Sequence, residues 1–464
     1  MTTFSPSSAP VVQAIPHNAP AAARTALKML RRLKHGTLTL QLPDGSLLRF
    51  GSGALPTASL HLHNWKPCAA ALRSGDIGFA ESYIAGDWTT PHLADLLELL
   101  IVNRQEVESA IYGSWLGRLV YRARHLLNRN TRANSQKNIH AHYDLGNAFY
   151  ALWLDCTMNY SSAIFASPDT TMAEGQNAKV RRALQMAQVK PGDRVLEIGC
   201  GWGALAEMAT TEFGASLVGV TLSTEQLEWA NERMARLGIP ESNHSTPPSL
   251  EDPVLETGTS PSQQGLRNRL CRAAGATAPS GGGSEPHEVG SVGATLRLQD
   301  YRDIGKTTAD QPFDAICSIE MVEAVGRAYW PEYFQTVARL LKPGGHACIQ
   351  SIVIADDLFD RYVGSTDFIQ QYIFPGGCLP CPREFRIQAH AAGFDIVDEF
   401  AFGQDYARTL RLWREAFVAQ EARVLQLGFD KRFIRIWEFY LAYCEAAFAQ
   451  ANTSVMQFTL RKRP

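Results

Sequence analysis

The sequence predicts an α/β protein in which a mainly parallel sheet carries helices on both faces, joined to a small N-terminal α+β domain. Three observations predict it. From Val180 onward, helical stretches alternate with the short apolar segments RVLEIGCGWG, SLVGVTLS, FDAICSIEM and GGHACIQSIVI, the pattern of strands buried on both faces. A glycine turn, Gly199, Gly201 and Gly203, ends the first of these strands and leads into the helical ALAEMATTEF. Near the N-terminus, TLTLQLPDGSLLRF alternates apolar and polar residues around Pro43-Asp44-Gly45, a hairpin signal.

The 464 residues allow two or three domains at about 150 residues each, and 45% hydrophobic content supports a sizeable core. A peptide hormone, a disulfide mini-scaffold and a wholly disordered chain are excluded. With 44 Lys and Arg against 46 Asp and Glu, the net charge of −2 gives no general attraction to nucleic acid, and none is expected as a partner. Nine scattered cysteines and an opening MTTFSPSSAP, which lacks the basic and apolar regions of a secretory signal, point to a reducing, cytoplasmic setting. Apolar runs such as LLELLIV at 96–102 contain a glutamate and fall far short of the roughly 20 residues that cross a bilayer. Any action on lipid would therefore be from the membrane surface, by peripheral association.

Residues 1–23, rich in Pro, Ala and Ser, read as a disordered leader. The α+β domain is expected over 24–114, with a helix near Pro91 to Val107. Over 115–137, Arg118, Arg122, His125 and Arg129 recur at helical spacing opposite Leu116, Val120, Ala123 and Leu127. This basic helix reads either as a linker with a solvated charged face or as a contact for an anionic membrane. The larger domain fills 138–464, interrupted at about 241–293 by a Pro-, Ser- and Gly-rich stretch expected to be a disordered surface insertion.

The glycine turn alone also fits a degenerate dinucleotide fingerprint. A dinucleotide site would carry an acid at the end of the second strand, where Thr221 stands. The acids lie instead at Glu197, before the glycines, and at Asp300, after the third strand. That arrangement resembles the S-adenosylmethionine-dependent methyltransferases.

Further motifs narrow the resemblance. His142-Tyr143-Asp144-Leu145-Gly146-Asn147 leads to Met158-Asn159-Tyr160-Ser161-Ser162-Ala163, followed by Val220-Thr221-Leu222-Ser223 with Gln226. Later come Gln299-Asp300-Tyr301-Arg302-Asp303, Glu320-Met321-Val322-Glu323-Ala324-Val325-Gly326 and Tyr372-Ile373-Phe374-Pro375-Gly376-Gly377. Together they resemble the cyclopropane-fatty-acyl-phospholipid synthase and mycolic acid methyltransferase family, from about Asn138 to the C-terminus. AESYIAGDW at 80–88 extends the likeness into the N-terminal domain.

The resemblance implies a Rossmann-like class I methyltransferase sheet and a methyl transfer from S-adenosylmethionine to the cis double bond of acyl chains in membrane phospholipids. The resulting carbocation loses a proton to close a cyclopropane, so water must be kept away. By the same resemblance, a bicarbonate ion acts as base, held by Ser162, Glu323, Gln350 and Tyr406, and Cys444 matches a cysteine sometimes placed in the active site. Cofactor binding carries onto Tyr160, Ser161, Glu197, Gly199, Gly201, Gly203, Thr221, Leu222, Gln226, Asp300 and Tyr301. The partners implied are unsaturated phospholipid and an anionic membrane surface, and homodimer formation stays open.

Three departures bear on the product. Ser162 stands where cyclopropane-forming members commonly have Cys, Gln350 where they have His, and Ala324 where they have His. The same cation can shift a hydride and lose a different proton, giving a methylene- or methyl-branched chain, and the departures also allow a lipid-binding relative that has lost catalysis. Simpler roles stand beside these. Cys444 lies in the apolar helical FYLAYCEAAF and reads as well as a packed thiol. Cys378 and Cys381 lack the second pair that a structural metal needs, so no metal site is expected.

Overall fold

The computed structural model describes residues 15–106, 145–241, 292–306 and 311–464. The basic helix at 115–137, the His142-Tyr143-Asp144 motif and nearly all of the insertion lie outside the described residues. Helix α1 (Ala21–Leu30) begins inside the segment expected as leader. Its Ala23 and Leu27, one turn apart, are fully buried, so an apolar stripe anchors it.

The chain divides into two compact units and passes repeatedly from one to the other. The first comprises Met1–Asn138, Ile352–Pro382 and Phe402–Val455; the second comprises Ile139–Ser351, Arg383–Ala401 and Met456–Pro464.

In the first unit, β1 (Thr37–Gln41), β2 (Leu47–Gly51), β3 (Thr57–Leu62) and β4 (Trp88–Thr89) form a sheet in the order β2-β1-β3-β4. The turn between β1 and β2 is closed by Asp44, whose Oδ1 accepts from the Ser46 backbone N–H at 3.0 Å. Alternate residues Leu38, Leu40, Leu60 and Leu62 bury one face of the sheet. Helices α2 (Lys66–Ile84) and α3 (Leu93–Val102) follow, with Leu93, Leu96, Leu97 and Leu99 supplying the buried stripe of α3.

The second unit is built on a seven-stranded sheet, β10-β11-β9-β8-β5-β6-β7. Its strands are β5 (Arg194–Ile198), β6 (Ser216–Thr221), β7 (Ala294–Leu298), β8 (Phe313–Ile319), β9 (Leu341–Ile354), β10 (Phe394–Ala401) and β11 (Thr453–Lys462). The run from β9 to β7 is parallel, and β10 pairs antiparallel with β11. Helices α4 (Met172–Met186), α5 (Ala204–Thr211), α6 (Thr224–Arg236), α7 (Val322–Val325) and α8 (Trp330–Leu340) belong to this unit. A capping box starts α4, with the Thr171 side chain accepting from Glu174 N–H and Glu174 from Thr171 N–H. Val180 and Leu184 of α4 pack with Leu205 of α5 on Val195, Leu217 and Ala315 of the sheet. This is the class I methyltransferase architecture.

The first unit is completed by α9 (Gly403–Ala419) and α10 (Lys431–Ala449). Helix α10 packs on α9, α2 and α3, and Tyr83 Oη donates to Glu438 Oε2 at 2.7 Å. The unit contains a cavity of about 290 Å³ between Leu40, Leu62, Leu97 and Phe439, with Asp76 and Asp367 on its wall. Among the described residues, no helix is long and apolar enough to cross a membrane.

Candidate active site

The glycine turn sits where a central strand meets a helix. Glycines 199, 201 and 203 have φ of 88°, 49° and 83°, the left-handed region that side chains disfavour. A Cβ on Gly199 would lie 3.2 Å from Met321 Cγ, and one on Gly203 would lie 3.1 Å from Ala230 Cβ, so both positions also require close approach. Beneath the turn, Glu197 is 3% exposed, and its Oε2 has no hydrogen-bond partner. Burial pushes its carboxyl up to about 8, against the opposing charges of Lys179 and Arg233. An orphaned buried carboxylate oxygen next to an open backbone turn fits a ligand that brings its own donors, as S-adenosylmethionine does.

The end of β6 continues this wall. Thr221 Oγ1 donates to Gln226 Oε1 at 3.1 Å, and Ser223 caps α6 by accepting from Gln226 N–H. Leu222 between them is half-buried. Asp300 is committed to Arg302, whose Nε donates to Asp300 Oδ1 at 2.8 Å. Tyr301 is buried, with its ring edge-on to Tyr333 at 5.5 Å.

Tyr160 belongs to an aromatic cluster with Tyr150, Trp153 and Trp202; Tyr150 lies 5.3 Å from Tyr160 and 5.1 Å from Trp202. The loop beyond Tyr160 is fixed from α4. Lys179, fully buried, donates from Nζ to Ser161 Oγ at 2.6 Å and to Asn159 Oδ1 at 3.2 Å. Gln176, one turn earlier on the same face, donates to Ser161 O at 2.8 Å. Burial lowers the Lys179 ammonium to about 8, while Glu320, Asp155 and Glu197 favour its charge.

Ser162 and Gln350 come together through a residue that sequence reasoning did not single out. Glu320 Oε1 accepts from Ser162 N–H at 2.9 Å and from Gln350 Nε2 at 2.8 Å. Gln350 Oε1 in turn accepts from Gln457 Nε2 at 3.0 Å, and Gln457 Oε1 accepts from Arg182 at 2.7 Å. The Ser162 hydroxyl donates to Ala163 O at 3.0 Å. These donors do not fit the expected bicarbonate: the serine N–H and the glutamine amide are already taken by a protein carboxylate, which would also repel a second anion. Glu323 is buried on α7. Burial pushes the neighbouring Tyr333 phenol up, and the nearby Tyr301 and Glu323 add to the push.

Tyr406 and Cys444 belong to the first unit. Tyr406 is buried on α9, its ring 4.4 Å from Phe448 and edge-on to Trp413. Burial and the Asp367 carboxylate both push the Cys444 thiol up, which disfavours the thiolate a nucleophile needs. Cys444 is half-buried on α10.

Lys179, Glu320 and Gln457 are the site residues missed from the sequence. Lys179 carried a signal, because a lysine one residue before Val180 falls within the buried stripe of an amphipathic helix. Glu320 and Gln457 carried none, since their partners are 158 and 107 residues away.

The sequence profile described as mycolic acid cyclopropane synthetase matches residues 130–247 and 287–458. A tuberculostearic acid methyltransferase of Mycobacterium tuberculosis is 34% identical over 466 residues, covering 97% of this chain and 94% of that protein. The cyclopropane-fatty-acyl-phospholipid synthase of Escherichia coli K12 is 29% identical, covering 90% of this chain and 94% of its own. Among solved structures, the M. tuberculosis cyclopropane synthase MmaA2 superposes with a TM-score of 0.54 at 25% identity, over 70% of this chain and 98% of that one. The mycolic acid cyclopropane synthase CmaA1, complexed with S-adenosylhomocysteine, gives a TM-score of 0.54 at 26% identity over the same shares.

Proposed function

Because the chain belongs to the mycolic acid cyclopropane synthetase family of S-adenosylmethionine-dependent methyltransferases, we propose that it methylates the cis double bond of acyl chains in membrane phospholipids, working from the membrane surface. The observation that carries this reading is the buried junction at the end of β5, where the open glycine turn, the orphaned Glu197 oxygen and the Lys179-held Ser161 loop adjoin. Bound S-adenosylmethionine supplies an electrophilic methyl group. The glycines would admit it close to backbone, Glu197 would accept from its polar groups, and the Tyr150, Trp153, Tyr160 and Trp202 cluster would help to keep water from the site. A protein that works on a carbocation needs that dryness more than it needs a strong nucleophile.

The first product reading is a cyclopropane, formed when the cation loses a proton from the newly attached methyl. A methylene-branched chain is the second, formed when a hydride shifts first. Two observations favour the second: the departures at Ser162, Gln350 and Ala324, and the 34% identity to a methyltransferase named for tuberculostearic acid. Arg118, Arg122 and Arg129 are proposed as the contact with anionic headgroups.

The test is incubation of the purified protein with methyl-labelled S-adenosylmethionine and vesicles of cis-monounsaturated phospholipid, followed by mass spectrometry of the released chains. A labelled saturated ring supports the cyclopropane reading, and a labelled chain that retains an alkene supports the methylene one. Cofactor binding without labelled lipid overturns both and leaves a relative that has lost catalysis.

A further inference from the structure

We infer that the Glu320 carboxylate is the proton acceptor of the reaction and takes the place of a bound bicarbonate; the inference rests on the lipid methyl transfer proposed above. Glu320 follows β8 directly, and its backbone N–H donates to Gln350 O at 2.8 Å. Its φ is 51°, in the left-handed region that costs a β-carbon-bearing residue energy. Backbone strain of this kind persists where the surroundings over-determine the conformation, and here it sets a carboxylate between two donors.

Those donors are the ones the family resemblance gives to an anion. Glu320 Oε1 takes Ser162 N–H at 2.9 Å and the Gln350 amide at 2.8 Å. The Gln350 amide cannot turn to offer its oxygen instead. That oxygen accepts from Gln457, which is fully buried and is itself fixed by Arg182 and by donation to Lys179 O at 3.2 Å. The glutamine NH2 is thereby aimed at Glu320, and the Lys179 ammonium supplies compensating charge nearby.

The step balances without an added base. The alkene π pair forms a new carbon–carbon bond as the sulfur–methyl bond breaks, leaving a neutral thioether and a positive charge on the adjacent acyl carbon. Glu320 then accepts a proton from the new methyl, whose C–H pair either closes the ring or, after a hydride shift has moved the charge to the methyl-bearing carbon, becomes the double bond of a methylene branch. The neutral acid later returns its proton to water.

The experiment compares the full-length protein with Glu320→Gln and Glu320→Gly. Glycine suits the left-handed backbone and frees both donors. In bicarbonate-free buffer, wild-type turnover is expected to be unchanged by added bicarbonate. Glu320→Gln should fall about 100-fold, and Glu320→Gly should fall similarly but recover with bicarbonate. Line broadening of ¹³C-bicarbonate gives a second readout: none with wild type, and clear broadening with Glu320→Gly. A Glu320→Gln enzyme at wild-type rate, or broadening by wild type that Glu320→Gly leaves unchanged, overturns the inference. If wild type methylates no lipid, the functional reading fails, while the resonance still decides whether Glu320 excludes the ion.

Discussion

Lys179 Nζ lies 2.6 Å from Ser161 Oγ, and neither side chain is open to solvent. A buried ammonium on a helix thus holds the loop that carries Tyr160, Ser161 and Ser162. Three carboxylates, Glu320, Asp155 and Glu197, support its charge. Breaking such a cluster from one side leaves uncompensated charge in low dielectric. Lys179→Met is therefore expected to cost about 3–5 kcal/mol of stability and to weaken S-adenosylmethionine binding by at least about tenfold. Thermal unfolding and titration calorimetry check the two effects; wild-type cofactor affinity in a folded variant would separate the lysine from the site.

How far the sequence reveals this arrangement depends on the distance over which each feature is encoded. The strand-turn-helix at Val195 to Thr211 is local: apolar run, glycines and helix follow one another, so the fold class and the glycine turn are readable. The helix at Ala21 was obscured by the Pro- and Ala-rich composition around it, although its buried stripe is present. Membership of the two units follows long-range packing, such as that of α10 on α3, which no linear reading along the chain contains. Glu320 is the clearest case. A carboxylate after a strand is ordinary in sequence and acquires its meaning only when Ser162, Gln350 and Gln457 converge on it in space.

Glu323 offers a second test of the carboxylates. It is buried on α7, near enough to Tyr333 to push that phenol up, and under the proposed function a negative charge there would stabilise a developing cation without needing to accept its proton. Glu323→Gln should lower turnover by about 100-fold and leave cofactor affinity within about twofold of wild type. Unlike Glu320→Gly, it should show no recovery on addition of bicarbonate. Turnover at the wild-type rate would remove Glu323 from the chemistry.

The first unit carries a pH-dependent liability. Asp76 Oδ2 accepts from Tyr443 Oη at 3.0 Å and from Phe368 N–H at 3.3 Å on the wall of the cavity. Burial and the Asp367 charge push Asp76 up from 3.8 to about 7, and burial pushes Asp367 up to about 6. An acid with a raised folded pKa binds protons more tightly in the native state than in the unfolded chain. Its effect is absent below the unfolded value of 3.8, and stability declines as pH rises from there to about 7. Asp76→Asn should flatten that decline and be more stable than wild type at pH 8, by on the order of 1–3 kcal/mol. Denaturant titrations across the range measure it, and parallel profiles for the two proteins would refute it.

Gly199 tests the proposed cofactor role of the glycine turn separately from the rest of the site. It begins the turn with φ of 88°, and a methyl group there would meet Met321 Cγ at 3.2 Å. Left-handed backbone costs an alanine about 1–2 kcal/mol, so relief by rotation would move the adjoining N–H groups from their positions at the helix start. Met321 precedes α7, so the shift would also reach the segment bearing Glu320 and Glu323. Gly199→Ala is therefore expected to lose about tenfold or more in S-adenosylmethionine affinity, with a stability loss of only about 1–2 kcal/mol. Calorimetric titration at a temperature where the variant is fully folded checks this, and unchanged affinity would mean that the backbone at Gly199 does not approach the cofactor.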